Sequence, residues 1–285
     1  MLWTPYVNTF KGVITNLTGR PSSTWGTSIT PGNNSFPAYV EILPDTAYMC
    51  CFLEVIAHSN FVAANARDTL LTLGFDFSGG TTYTDMEITN LLVSCVSTFS
   101  AGFGVGYQFP LLIPAGTAIA AKASINNATV GTLLVGIRLY GRPTRPELVR
   151  CGRSVTTYGA TTASSSGTVV TPGTTSEGAW TELTPGSNTT KPHFFWQTGV
   201  GINDSTISVD RIYGHDLSYG DATNKEIISE DECISSVSSN EQMGRWLRPT
   251  IAHYCETPSG VRVYGRMQGS GALDSNLSMC AYGVT

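Results

Sequence analysis

The sequence is short of charge. Asp, Glu, Lys and Arg make up 13% of its 285 residues, about half the usual share of roughly 25%. Hydrophobic residues, at 41%, do not fill the gap; Gly, Ser, Thr and Asn do. A disordered chain would be charge-rich and poor in aromatics, so this is a folded chain full of turns. A surface so poor in charge is either Ser/Thr-rich and free, or covered by other subunits. There is also no long hydrophobic run. The apolar stretch from Met49 to Ala57 is broken by Glu54 and is too short to span a bilayer. Met1-Leu2-Trp3-Thr4-Pro5-Tyr6 has no basic segment followed by an apolar block, so no secretion signal is expected.

Several motifs are absent too. The seven cysteines, Cys50, Cys51, Cys95, Cys151, Cys233, Cys255 and Cys280, contain no CxxC pair, which argues against zinc ribbons and thiol redox motifs. Cys50 and Cys51 are neighbours and face opposite ways on a strand. Buried free thiols, made in a reducing cytosol, are the expectation. His58, His193, His215 and His253 fit no metal spacing, and no HExxH occurs, so neither metal nor cofactor is expected. Asp216, Asp221 and Asn224 offer oxygen ligands for calcium but read better as a turn. A nucleophile elbow, a P-loop and a dinucleotide fingerprint are all missing. The net charge is −5, with 6 basic against 7 acidic residues over 1–142 and 10 against 14 over 143–285. Neither half has the basic field that nucleic acid requires, and no membrane partner is expected.

What is present is a repetition. Gly26-Thr27-Ser28-Ile29-Thr30-Pro31-Gly32 returns as Gly167-Thr168-Val169-Val170-Thr171-Pro172-Gly173, and Ala38-Tyr39-Val40-Glu41-Ile42 as Ala179-Trp180-Thr181-Glu182-Leu183. Gly74-Phe75-Asp76-Phe77-Ser78 returns as Gly214-His215-Asp216-Leu217-Ser218, Pro114-Ala115-Gly116 as Pro258-Ser259-Gly260, and Tyr140-Gly141 as Tyr282-Gly283. Five matches in one order indicate a duplicated domain. In the Thr-Pro-Gly turns, Pro fixes φ and Gly permits φ > 0. The Gly-x-Asp-x-Ser pair reads as a loop whose Asp caps its own backbone. The shared aromatics Tyr39 and Trp180 read as core, beside the carboxylates Glu41 and Glu182.

Between the turns lie short apolar runs about 8–12 residues apart, the spacing of a β-sandwich or barrel. They include Met49–Ile56, Thr69–Phe75, Glu87–Val96, Thr117–Ser124 and Gly131–Tyr140. Gln108–Pro114 holds two prolines, which makes it an edge strand or a strand entrance. Sustained helical periodicity is lacking, so a βαβ plan is disfavoured. The fold class is therefore all-β: two tandem antiparallel β-sandwich domains. The expected division is an N-terminal arm over 1–20, a first sandwich over 21–145, a linker over 146–166 and a second sandwich over 167–285.

The stretch Phe109-Pro110-Leu111-Leu112-Ile113-Pro114-Ala115-Gly116-Thr117-Ala118-Ile119-Ala120-Ala121-Lys122, with the Tyr/Trp-x-Glu strand and the Gly-x-Asp turn before it, resembles a recurrent module of tailed-phage virion proteins. Lys122 fills the place of the basic residue near the end of that module. The resemblance covers most of both halves, and the second departs from it at Arg245–Glu256. It implies jelly-roll-like sandwiches and a structural role in the virion: head decoration, collar or tail appendage. On this reading the protein is not an enzyme, assembles with itself and other virion proteins, and is localised to virions put together in the host cytoplasm.

The alternative is a glycan- or receptor-binding appendage. Trp196, Tyr213, Tyr219 and Trp246 are the candidate stacking residues, present in the second half only, with core packing as the competing reading. Arg142, Arg145, Arg150 and Arg153 are either a contact strip for an acidic neighbour or part of a solvated linker. The acidic run Glu230-Asp231-Glu232 is the only support for a polysaccharide-cleaving enzyme, and it reads better as an exposed loop.

Overall fold

A computed structural model describes residues 13–15, 26–61, 67–95, 105–126, 131–141, 150–184, 188–202, 211–237, 242–244, 253–270 and 277–285. Every regular element among them is a strand. The first half holds β1 (Val13–Thr15), β2 (Thr27–Ile29), β3 (Gly32–Asn33), β4 (Val40–Leu43), β5 (Phe52–Phe61), β6 (Arg67–Asp76), β7 (Met86–Cys95), β8 (Val105–Phe109), β9 (Ala118–Ile125) and β10 (Gly131–Gly141). The second holds β11 (Val155–Tyr158), β12 (Thr168–Val170), β13 (Thr181–Glu182), β14 (Phe195–Ile202), β15 (Arg211–Gly220), β16 (Lys225–Val237), β17 (Gln242–Gly244), β18 (Arg262–Gly269) and β19 (Leu277–Val284).

In the first half, β2, β10, β5 and β8 lie side by side in one sheet, and β4, β9, β6 and β7 in the other. That is the strand order of a jelly roll. The second half repeats it with β12, β19 and β14 in one sheet and β13, β18, β15 and β16 in the other. Registers agree residue by residue. Leu133 faces Ile29 as Leu277 faces Val170. Isolated bridges join Cys50 to Ile113 and His193 to Thr257. The short parallel pairing of Gly32 with Ser124 returns as Gly173 with Gln268.

The shared turns carry atomic detail. Gly116 N–H donates to Thr46 O at 2.7 Å, and Gly260 N–H donates to Thr189 O at 2.7 Å. Both glycines have positive φ, 79° and 83°, which a side chain would strain. The glycines of the two Thr-Pro-Gly turns need their place for another reason. They do not have positive φ; a Cβ on Gly32 would sit 2.4 Å from Ser35 O, and one on Gly173 2.0 Å from Ser176 O.

Three further expectations change. Tyr140-Gly141 and Tyr282-Gly283 are not equivalent: the alignment of Leu133 with Leu277 puts Tyr282 at the place of Arg138. Tyr39 and Trp180 are half-buried on the outside of their sheets, not core. Lys122 lies over the Tyr39 ring at 4.1 Å, and Arg266 over Trp180 at 4.3 Å, so a cation–π pair is what both copies keep. Asp76 does cap its loop, accepting from Ser78 N, Ser78 Oγ and Thr82 N. Asp216 is not its equivalent: it sits inside β15 at the place of Thr72, accepting from Asp231 N as Thr72 accepts from Asn90 N, and pairs with Arg266 Nε at 2.7 Å.

The segment expected as a linker contributes β11, which pairs with β19. Within the expected arm, β1 pairs with β10. The halves are not separate beads. β19 is buried on both faces: Leu277, Met279 and Ala281 belong to the second core, while Cys280, Tyr282 and Val284 belong to the first. The outer face of the second half's β11–β19–β14 sheet thus closes the side of the first sandwich where β7 and β8 end their sheets. Edge strands carry unpaired backbone groups, and side chains meet them here. Leu92 N–H donates to the Tyr282 hydroxyl at 2.7 Å, and that hydroxyl donates to Asn90 O at 3.1 Å. Tyr107 Oη donates to Leu92 O, and Thr157 Oγ1 to Thr89 O. Gln108 N–H donates to Gln197 Oε1 at 2.8 Å. Burial, then the nearby Tyr107, raises the Tyr282 pKa well above the ordinary phenol value, so its proton stays in place.

The corresponding edge of the second sandwich is β16. The register shift between Leu71 and Leu73 returns between His215 and Leu217, and the positive φ of Asn90 returns at Asp231, so Leu71 matches His215 and Leu91 matches Glu232. β17 pairs with β16 at Ser235–Val237, beyond the stretch Glu230–Cys233 that matches Thr89–Leu92.

Tyr282→Phe leaves Leu92 N–H and Asn90 O buried without this hydroxyl. We expect a loss of about 1–3 kcal/mol, read as a lower urea midpoint with an unchanged slope. A midpoint equal to wild type would contradict the capping role.

Candidate functional site

Three of the four aromatic candidates turn inward, which corrects the stacking expectation. Trp196 is fully buried, Tyr213 is 2% exposed and Tyr219 9%. All three belong to the second core, where strand alternation points them. No ring face is left for a sugar. Trp246 lies outside the described residues, as do Arg142 and Arg145. Arg150 is exposed but engaged within its own chain: its guanidinium lies 4.4 Å from the Phe194 ring centroid and pairs with Glu256. Arg153 is exposed, and its backbone N–H donates to Thr285 O at 3.0 Å. The four arginines therefore do not form a described strip.

The acidic run divides. Glu230 and Asp231 are exposed, while Glu232 is 7% exposed and faces into the second sandwich. There it meets His215 from the neighbouring strand β15, Thr198 from β14 in the opposite sheet, and His253, which bridges to Trp196. His215 Nε2 lies 2.9 Å from Glu232 Oε2, Thr198 Oγ1 donates to the same oxygen at 3.0 Å, and His253 Nε2 contacts Oε1. A carboxylate only accepts, so both imidazoles present Nε2–H to it.

The first copy has no such network. Thr198 corresponds to Val55, and His215 to Leu71. Glu232 faces His215 as Leu91 faces Leu71, and His253 faces Trp196 as Phe109 faces Leu53. All four counterparts are buried in an apolar core. The letter match of Gly74–Ser78 with Gly214–Ser218 runs four residues out of this register, so comparing the copies by letters sets His215 against Phe75 and hides the network. The docking residues Tyr107, Thr157 and Gln197 left no signal either.

Electrostatics fit a locking role. Burial raises the Glu232 carboxyl's pKa, but hydrogen bonds from His215 and His253 and their charge outweigh it, holding the carboxyl well below the usual range. A buried ion is costly unless fully hydrogen-bonded, and here both oxygens are used. His253 thereby fixes the 253–257 segment to the second sandwich. Nearby, His193 accepts or donates at Nε2 with the Tyr158 hydroxyl, 2.7 Å away. Its pKa is lowered to about 4, by burial first and then by Lys191. Asp221 accepts from Thr223 N and Asn224 N, which makes it a turn. Among the described residues, no group of three or more His, Cys, Asp or Glu is arranged to hold a metal ion.

These shifts set a pH dependence. His193 is harder to protonate when folded, so its contribution is present above about 6.5, the ordinary imidazole value, and declines as pH falls toward 4. Glu232 is easier to ionise when folded, so its contribution is complete above about 4.3 and is lost at lower pH. Melting temperature should fall monotonically from pH 7 to pH 3. Glu232→Gln should be less stable at pH 7 and have a shallower slope below pH 4.5. An unchanged acid slope would remove Glu232 as the source.

No protein-family model matches the chain, and no curated protein does. Solved structures give loose likenesses. PNGF-II has 9% identity and a TM-score of 0.35, over 90% of this chain and 64% of that one. The tandem CBM22-1-CBM22-2 domains of Paenibacillus barcinonensis Xyn10C have 12% identity and a TM-score of 0.27, over 97% and 95%. A chain of the Broad Bean Stain Virus structure has 9% identity and a TM-score of 0.31, over 98% and 94%. At TM-scores below 0.5 these likenesses carry no function to this chain.

Proposed function

We propose that the chain is a non-enzymatic structural component of a tailed-phage virion, assembled symmetrically with copies of itself and with other virion proteins on the head, collar or tail. The observation that carries this reading is the use of the second copy's outer sheet face to close the open edges of the first. The duplicated unit is shaped to be built upon, and its distinctive polar residues serve to lock a strand segment rather than line an open cleft. The stretch Phe109–Lys122, through which the chain resembles virion modules, forms the β8 edge, the Pro-x-Gly turn and β9, all parts of the frame. The glycan alternative loses Trp196, Tyr213 and Tyr219 to the core, and the exposed Tyr254 packs edge-on with Phe195.

Particles purified from an infected host should contain the protein at a fixed copy number by quantitative mass spectrometry. A reconstruction at side-chain resolution should show pairs of docked jelly rolls related by symmetry. Particles that lack the protein, while it persists as a free monomer in the lysate, would defeat the proposal.

A further inference from the structure

Two cysteines 100 positions apart in sequence meet where the halves join. Cys51 stands just before β5, buried, with its N–H donating to Tyr140 O at 2.8 Å. Cys151 lies in the segment leading to the second sandwich and is half-buried. Its thiol donates to Cys51 O at 3.3 Å and is hydrogen-bonded with the Cys51 thiol as well. Backbone bonds hold it there: Gly152 N–H donates to Pro110 O at 2.8 Å, Leu112 N–H donates to Gly152 O at 2.9 Å, and Arg153 N–H donates to Thr285 O at 3.0 Å. Cys50 takes the opposite face of the strand, within the first core, with its thiol on Tyr48 O. Cys280 is fully buried in the same core.

We propose that Cys51 and Cys151 are a thiol–disulfide pair that stays reduced in the cytoplasm and closes into a disulfide when the protein meets an oxidising, disulfide-containing medium. The absence of CxxC thus did not exclude thiol chemistry; folding supplies the proximity that the motif would have supplied. Cys151 is the more accessible and reacts first. Its thiolate attacks one sulfur of a small disulfide such as oxidised glutathione, forming a mixed disulfide and releasing one glutathione thiolate. The Cys51 thiolate then attacks the Cys151 sulfur and expels the second. Two protein thiols and one oxidised glutathione become one protein disulfide and two reduced glutathiones. The hydrogen bond with Cys51 and then burial raise the Cys151 pKa well above an ordinary thiol, so closure is slow at neutral pH and faster in alkali. The bond would tie the first sandwich to the segment that leads into the second. Its timing, after release from the host, rests on the virion reading; the pairing itself does not.

The test starts from the purified, reduced full-length chain, incubated with oxidised glutathione at pH 8.5, alkylated and digested without reductant. We expect one linked peptide pair joining Cys51 to Cys151, lighter by two hydrogens. Melting temperature should rise by about 5–10 °C over the reduced protein, and Cys151→Ser should lose that rise. Alkylation of both thiols after oxidation, or a bond to any other cysteine, overturns the proposal. Particles released by lysis are then alkylated in the same way. The bond there supports the timing; free thiols in particles that contain the protein overturn it. Particles without the protein would instead count against the virion reading and leave the purified-protein result standing.

Discussion

An unpaired strand edge is the constraint on which the rest of this structure depends. A jelly roll ends each of its sheets in a strand with one free side, and buried backbone groups without partners are costly. Here the free sides of β7 and β8 lie together, and a second jelly roll closes them with tyrosine, threonine and glutamine side chains rather than with another strand. Side-chain capping leaves the two sandwiches distinct in topology while making them continuous in packing. That explains why β19 contributes to two cores and why the joining segment is itself hydrogen-bonded to both halves.

Duplication then allowed the copies to diverge under different demands. The first kept an apolar interior and gave up its open side to its sister. The second holds its segment 253–257 by the bridges of His253 to Trp196 and of Thr257 to His193, and by His253 on Glu232. Four core positions differ: Val55, Leu71, Leu91 and Phe109 in one copy stand where Thr198, His215, Glu232 and His253 stand in the other. Such an exchange is tolerable only as a set, because a half-satisfied buried network is worse than an apolar one.

Much of the fold was legible because the repeat marks turns, and turns are local chemistry. The Pro-x-Gly pairs, the strand at Gly131–Tyr140 and the proline-bearing run Gln108–Pro114, which leaves the edge strand β8, stand where the pattern put them. Positions whose role depends on the other half were not legible. Trp196 has the composition of a sugar platform and the environment of a core. Tyr282 matched Tyr140 in letters but replaces Arg138 in space, since an aromatic next to glycine carries no record of its register. Lys122 and Arg266, with Tyr39 and Trp180, show the opposite case: the residue types differ, yet the cation-over-ring contact persists. Of the candidate site residues, the buried aromatics were indistinguishable from exposed ones by sequence because both occupy alternating strand positions.

The short strand β17 stops short of the second sandwich's own berth. It pairs with β16 at Ser235–Val237, whereas the stretch that matches Thr89–Leu92, where the first sandwich receives its neighbour, is Glu230–Cys233. That stretch opens with two exposed carboxylates, Glu230 and Asp231, where the first copy has the neutral Thr89 and Asn90. The joined unit is therefore directional: its two matching edges differ in charge, neutral and covered in one copy, acidic and solvent-facing in the other.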